Sequence, residues 1–210
     1  MNEYAEGTTC LGVIMDGNRR WAKENQRLPY EGHVEGYKKL KELLRWTHEA
    51  NIPHVVAYVF STENWQRSEE EVGHLMKLFR FVLENETQNM IEEGVRVRFI
   101  GDKIKFADDL KKMMTTMEAA TAETYHSTLH VLLSYGGRAE IVAGVNALLS
   151  EGVTSVSEDS FAKKLWSHSM PDPDFIIRTG GDKRLSNFLP WQSVYSELFF
   201  TDTKWPSFTK

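Results

Sequence analysis

The chain has 210 residues, enough for one domain with a substantial core, and no linker-like stretch argues for two. Its formal net charge of −5 speaks against a broad nucleic-acid footprint, which needs a basic surface. One cysteine, Cys10, permits no internal disulfide; residues 1–9 lack the basic start of a secretory leader, and no apolar run approaches the roughly 18 residues of a membrane span, so the expectation is a cytoplasmic protein, at most peripheral to a membrane.

Apolar runs alternate with helical patterns along the whole chain. Cys10 to Met15 reads as a buried strand that stops at Asp16. Gly17 allows a tight turn, and Asn18 is placed to cap a short helix that Arg19, Arg20 and Trp21 begin. Gly32 and His33 read as a glycine-marked loop. Val34, Tyr37, Leu40, Leu43, Leu44 and Thr47 then mark one face of a helix ending near Asn51-Ile-Pro53. Val55 to Phe60 is a second strand. Ser68-Glu-Glu-Glu71 is a capping box for a helix with apolar residues at 72, 75, 76, 79, 82 and 83, which Gly94 closes. Val95 to Ile100 is a third strand, followed by a helix through Leu110, Met113, Met114 and Met117. Leu129 to Leu133 is a fourth strand and Ile141 to Leu149 a helix. A Ser- and Glu-rich connection over 151–160 leads to a short helix around Phe161–Trp166. Phe175 to Ile177 and Leu198 to Phe200 are the fifth and sixth strands. This alternation predicts a single α/β domain over 1–210, with a mostly parallel six-stranded central sheet flanked by helices.

The ends of the strands carry the chemistry. They lead into Asp16…Arg20, Ser61-Thr-Glu-Asn-Trp-Gln-Arg67, Tyr135-Gly-Gly-Arg138 and Arg178-Thr-Gly-Gly-Asp-Lys-Arg-Leu-Ser186. In an open parallel sheet the carboxyl ends share one edge, and ligands bind there. Arginine offers a planar fork of donors that fits phosphate. An acid beside such a cradle is well placed only if a divalent cation lies between it and the phosphate. The residues therefore read as a metal–phosphate pocket for one or two diphosphates. The plainer alternative is an Asp-Gly turn into an ordinary helix with a solvated arginine pair. No G-x-x-x-x-G-K-[ST], G-x-G-x-x-G or H-E-x-x-H is present, and no Ser/His/Asp or Cys/His set stands out. His33 is either a substrate contact or a loop brace. The apolar faces at 34–47 and 72–83, with Tyr58 and Val59, either line a hydrophobic tunnel or simply form core, the second being the general rule for helices on a sheet. Phe60 and Trp65, beside a polar strand end, are candidates to touch substrate.

Six ordered blocks give the chain a resemblance to a known family. They are Ile14-Met-Asp-Gly-Asn-Arg-Arg-Trp-Ala22, Gly32-His33, Phe60-Ser-Thr-Glu-Asn-Trp-Gln-Arg67, Arg98-Phe-Ile-Gly-Asp102, Tyr135-Gly-Gly-Arg138 and Ile177-Arg-Thr-Gly-Gly-Asp-Lys-Arg-Leu-Ser-Asn-Phe188, with Trp191-Gln192, Tyr195, Glu197 and Phe200-Thr-Asp202 completing the set. Over nearly its whole length the chain resembles the cis-prenyltransferases, the group containing undecaprenyl diphosphate synthase. Asp108-Asp109, followed by Leu-Lys-Lys, does not match the aspartate-rich box of the trans-type synthases.

The resemblance implies Mg²⁺-dependent condensation of isopentenyl diphosphate onto an allylic diphosphate, such as geranyl or farnesyl diphosphate, to a Z-polyprenyl diphosphate. It assigns Asp16 to catalysis and metal, with Glu197 as a second metal-linked carboxylate. Gly17, Asn18, Arg19 and Arg20 hold the allylic diphosphate, with Trp21 and His33 nearby. Arg67, Arg178, Arg184 and Ser186 hold the isopentenyl diphosphate. Ser61, Thr62, Glu63, Trp65 and Leu185 belong to the same substrate-binding blocks. Asn64 falls where proton removal from the isopentenyl unit is assigned; an amide is a poor base, so a positioning role suits it better. The resemblance also implies a homodimer with peripheral membrane contact through the lipid product, and the acidic charge implies no nucleic-acid partner.

Three departures accompany the match. Pro29 stands where many members have an arginine, with Arg27 as the nearby substitute. Cys10 replaces a histidine. The chain ends at Lys210, short of an Arg-containing tail that reaches the partner subunit's site, so the tail is expected to be missing or short. Val59, bulkier than the alanine of many long-chain members, points to a narrower tunnel. Two competing readings remain: a non-catalytic accessory subunit of a two-component enzyme, and a synthase joining two short allylic diphosphates.

Overall fold

A computed structural model describes residues 7–123 and 125–210. Its strands are β1 (Cys10–Ile14), β2 (His54–Ser61), β3 (Val95–Ile100), β4 (Ser127–Tyr135), β5 (Phe175–Arg178) and β6 (Glu197–Phe200). They form one sheet in the order β3-β4-β2-β1-β5-β6, every pair parallel. The helices are α1 (Asn18–Glu24), α2 (Pro29–Glu49), α3 (Glu69–Asn85), α4 (Thr87–Glu92), α5 (Asp108–Ala120), α6 (Gly137–Ser150) and α7 (Glu158–Ala162). One face of the sheet packs its β-branched and aromatic residues against α2, α3 and α5. On the other face Cys10, Val56, Leu132 and Tyr135 of the strands pack against Met170, Phe188 and Leu189. Covering both faces is what allows strands as continuously apolar as Val-Val-Ala over 55–57. No helix among the described residues is long and apolar enough to cross a membrane.

The strand order reverses at β1, which has β2 on one side and β5 on the other. Such a switch point opens a crevice at the carboxyl edge. Asp16 follows β1 and Thr179 follows β5, so both stand at that crevice.

Several local features differ from the sequence expectation. Gly17, not Asn18, precedes the first helical turn; its φ of +102° is a conformation that only glycine adopts readily. Asn18 instead donates its Nδ2 to the Met15 carbonyl at 3.0 Å. Helix α2 starts at Pro29, whose fixed φ suits a first helical position, and Glu31 accepts the Leu28 N–H at 2.7 Å. His33 therefore sits on a helix and not in a loop. The long helix expected to run to Gly94 breaks at Glu86, which ends α3 and precedes α4. Ser68 does cap α3, accepting the Glu71 N–H at 3.3 Å. The last short helix closes at Ala162 and not at Trp166.

Helix α1 lies unusually close to α2. A Cβ on Gly32 would come within 2.2 Å of the Asn18 carbonyl oxygen. That neighbour is backbone, so relief requires moving α1. Gly32→Ala is expected to lower stability by about 1–3 kcal/mol through overpacking. Urea denaturation checks this, and an unshifted midpoint would show that α1 is not held where described.

Candidate functional site

At the end of β1 the Asp16 carboxylate is clamped from two sides. Its Oδ1 accepts from Arg20 at 3.0 Å and from the Gly17 N–H at 2.6 Å; its Oδ2 accepts from Arg178 at 2.9 Å. Burial pushes this carboxyl up, but the hydrogen bonds and charge of Arg178 and Arg20 outweigh it and hold it below the usual range. The Asp16 carbonyl is fixed as well, accepting Thr179 Oγ1 at 2.7 Å and the Trp205 N–H at 3.0 Å. Arg178 is only 4% exposed and also donates to the Arg184 carbonyl, Ser186 Oγ and Asp182. Arg184 joins through Asp182, which accepts its Nη2 at 2.7 Å. The guanidinium groups at 20, 178 and 184 thus form one chain of ion pairs around two carboxylates.

Arg67 reaches the same place from the other side. Asp16, Asn18, His33, Ser61, Asn64 and Arg67 line a polar hollow of about 210 Å³. Glu71 orients two of the cations, accepting Arg67 at 2.7 Å and Arg19 at 3.3 Å. Asn64 Oδ1 accepts the Ser61 N–H at 3.0 Å, so its amide is held in one orientation with the NH₂ left to donate. Two buried polar atoms on hollow-lining residues have no partner, Asn18 Oδ1 and His33 Nε2. Buried polar groups are normally satisfied, so the His33 nitrogen marks a place that accommodates a polar ligand, whereas Asn18 Oδ1 lies against Gly36 of α2.

Below the hollow lies an apolar cavity of about 130 Å³ between the sheet, α2 and α3, lined among others by Leu40, Leu44, Met76, Phe79, Val82 and Phe99. Met15, Asn18, His33, Val59 and Leu75 line both spaces and form the threshold between them. Val59 is there because β2 carries a bulge: Tyr58 pairs with Leu132 and Phe60 with Leu133, leaving Val59 as the extra residue. Bulges re-aim side chains in this way beside functional sites. Tyr58, expected with Val59, does not line the apolar cavity: its ring packs on Phe188 and Tyr135, and it borders the polar hollow instead.

Other candidates lie elsewhere. Trp65 turns into the core, donating its indole N–H to Ser134 at 2.9 Å and packing edge-on to Phe60 and Phe106. Phe60 is buried and lines the apolar cavity. Thr62 abuts Gly136, and Glu63 accepts from Asn187 at 3.0 Å, which directs both toward the start of α6. Leu185 packs under the loop with Phe188 and its neighbours. Trp21 lies beneath Arg27, which also pairs with Glu35, so Arg27 does not line the hollow. Arg138 is exposed at the start of α6. Glu197 is not brought to Asp16: the register of β6 on β5 places it opposite Phe175, at the amino edge of the sheet, while Phe200 lies opposite Arg178. Thr179 and Asp182 were not singled out from the sequence; the signal available was their place directly after a strand-end arginine and within the Gly-Gly-Asp turn.

The described residues hold no group of three or more His, Cys, Asp or Glu placed to bind a metal. Asp16 alone lines the hollow as a carboxylate. That donor set does not make an all-protein cage. It does fit Mg²⁺, which characteristically takes one or two carboxylates, several waters and substrate phosphates.

A parallel sheet with a polar hollow at its carboxyl edge, lined by Asp16 and Arg67 and opening onto an apolar cavity, defines an α/β protein suited to an amphiphile with a charged head. Comparison with known proteins gives the class a name. The sequence model of the family described as "Putative undecaprenyl diphosphate synthase" matches residues 14–210. The chain is 42% identical over 198 residues to an isoprenyl transferase of Fusobacterium nucleatum subsp. nucleatum, covering 94% of this chain and 86% of that one. It is 43% identical over 208 residues to a tritrans,polycis-undecaprenyl-diphosphate synthase (geranylgeranyl-diphosphate specific) of Pyrococcus horikoshii, covering 95% and 79%. Lavandulyl diphosphate synthase from Lavandula x intermedia, solved in complex with dimethylallyl diphosphate, superposes with a TM-score of 0.90 at 26% identity, covering 97% of this chain and 90% of that one. The chain belongs to the undecaprenyl diphosphate synthase family of cis-prenyltransferases.

His33 gives the site a pH dependence. Burial, then the Arg67 charge, lower its pKa to about 4 from 6.5; Glu71 opposes the shift and Arg19 adds to it. The unfolded chain therefore takes up this proton first as pH falls. The stability contributed by the neutral ring is fully present above about pH 6.5 and drains away toward pH 4. Replacing His33 with Gln is expected to flatten stability against pH across that window, read from urea midpoints. An equal slope in both proteins would place the imidazole in solvent.

Proposed function

We propose that this protein is a Mg²⁺-dependent cis-prenyl chain elongase that condenses isopentenyl diphosphate with an allylic diphosphate such as geranyl or farnesyl diphosphate, giving a Z-polyprenyl diphosphate. The observation that carries this reading is the junction of the two spaces: the polar hollow with Asp16 and Arg67 shares a threshold with the apolar cavity. A molecule with a charged head and a hydrocarbon tail suits that junction.

In this reading Asp16 holds Mg²⁺, which supplies charge neutralisation on the departing diphosphate when bound. Arg20 and Arg19, at the start of α1, bind the allylic diphosphate with Gly17 and Asn18. Arg67, Arg178, Arg184 and Ser186 bind the isopentenyl diphosphate. The allylic carbon–oxygen bond breaks with its electron pair leaving on the diphosphate, a carbon–carbon bond forms from the isopentenyl double bond, and that unit passes a proton to the departing diphosphate. Asn64, with its oxygen already committed to Ser61, positions the isopentenyl group by donation. The His33 ring, neutral at pH 7, stands at the threshold with Nε2 unpartnered and contributes a polar contact to the head group. Val59 and the faces of α2 and α3 keep the cation-like allylic partner dry and receive the growing chain as a tunnel.

A homodimer is part of the proposal. The edge strand β6 exposes Leu198 and Phe199 beside Val194 and Tyr195, and α6 exposes Val142, Val145 and Leu149. Apolar surfaces of this kind support burial against a second copy. The likeness to lavandulyl diphosphate synthase supports one further reading, the joining of two short allylic diphosphates.

Radiolabelled isopentenyl diphosphate, a panel of allylic primers, and Mg²⁺ with and without chelator test the proposal, with chromatography of the products. Label is expected in a polyprenyl product only with primer and metal. Asp16→Ala is expected to lose roughly a hundredfold or more of turnover while still binding substrate. Near-normal turnover would remove Asp16 from its metal role, and product from dimethylallyl diphosphate alone would favour the second reading.

A further inference from the structure

A guanidinium group has five N–H donors. On Arg178, Nη1 donates to the Arg184 carbonyl and, at 2.6 Å, to Ser186 Oγ. Nη2 donates to Asp16 Oδ2 at 2.9 Å and to Asp182 Oδ2 at 3.2 Å. The fifth donor, Nε, is buried without a partner. All four Nη hydrogens are thus engaged and the unpartnered Nε is buried, so the outward fork of Arg178 reaches an incoming phosphate only when one of its four acceptors leaves.

Asp182 is the acceptor able to leave. Its contact is the longest of those with Asp16, Ser186 and itself, and its side chain is 36% exposed. Asp16 is anchored independently by Arg20 and the Gly17 N–H. Asp182 Oδ2 also accepts Arg184 Nη2 at 2.7 Å, so a single carboxylate oxygen bridges two guanidinium groups. A phosphate oxygen meets a pair of arginines in the same fashion. The segment bearing Asp182 follows Gly180 and Gly181, both at positive φ, which set the turn that returns the carboxylate toward Arg178.

We propose that Asp182 is a built-in competitor for diphosphate: its carboxylate occupies the Arg178–Arg184 pair, keeps the buried guanidinium neutralised and aligned, and is displaced when a diphosphate enters. Asp182 is thus a positioning residue whose presence weakens head-group binding. The inference rests on the reading above that these arginines receive a diphosphate.

Calorimetric titration with inorganic diphosphate in metal-free buffer tests it. Asp182→Asn, which keeps the shape and removes the charge, is expected to bind roughly tenfold more tightly than the wild type. Asp182→Glu restores a carboxylate and is expected to bind more weakly than Asp182→Asn. In steady state the Asn variant lowers the KM for isopentenyl diphosphate with a smaller change in kcat. Unchanged or weaker diphosphate binding by Asp182→Asn, in a wild type that elongates allylic primers, overturns the competitor role alone. Failure of wild type and both variants to bind diphosphate or to use isopentenyl diphosphate overturns the reading of the arginine pair itself.

Discussion

The ion pair between Asp16 and Arg178 joins the ends of two neighbouring strands, β1 and β5, at the point where the strand order reverses. Removing a guanidinium from water costs several kcal/mol, and Arg178 is almost wholly buried. The cost is offset because four of its hydrogens meet oxygen, two of them on carboxylates. Asp16 in turn is fixed at its side chain by Arg20 and at its carbonyl by Thr179 and Trp205. A site assembled from segments far apart in the chain is in this way locked into one arrangement.

The second constraint is close approach. Gly17 turns the chain at a φ open to few other residues, and Gly32 lets the start of α1 lie against α2. Together they bring Asn18 and His33 to the same wall. That wall separates, and partly joins, a space suited to charge and a space suited to hydrocarbon. The bulge that aims Val59 at the threshold is matched by a second irregularity at Ser134, where β4 takes up the extra residue. Ser134 then receives the Trp65 indole, which is why that tryptophan points away from the hollow.

Much of this was legible in the sequence because strand ends announce themselves. Short apolar runs stopped by Asp16, Ser61 and Arg178 placed those residues on one edge, and a parallel sheet made the edge a binding site. What stayed hidden depended on geometry that residue types do not encode. Asn18 is a good cap by type, yet Gly17 takes the position because the backbone there has positive φ. His33 looked like a loop residue until Pro29 was seen to open the helix earlier. Trp65 was displaced by a pair of bulges with no sequence signature. Glu197 depends on the register of a four-residue strand, and the register sends it to the amino edge. Nothing in the residue types of Thr179 and Asp182 signals that one holds the Asp16 carbonyl and the other occupies the arginines.

The central claim is that one ligand spans the hollow and the cavity, head at Asp16 and tail beneath His33 and Val59. A crystal structure with Mg²⁺ and an unreactive thio analogue of an allylic diphosphate tests it most directly. Density for the diphosphate against Asp16 and Arg20, with the hydrocarbon passing the threshold into the space between α2 and α3, is the predicted result. A head group bound away from Asp16 and Arg20, or a tail lying in solvent, would contradict it.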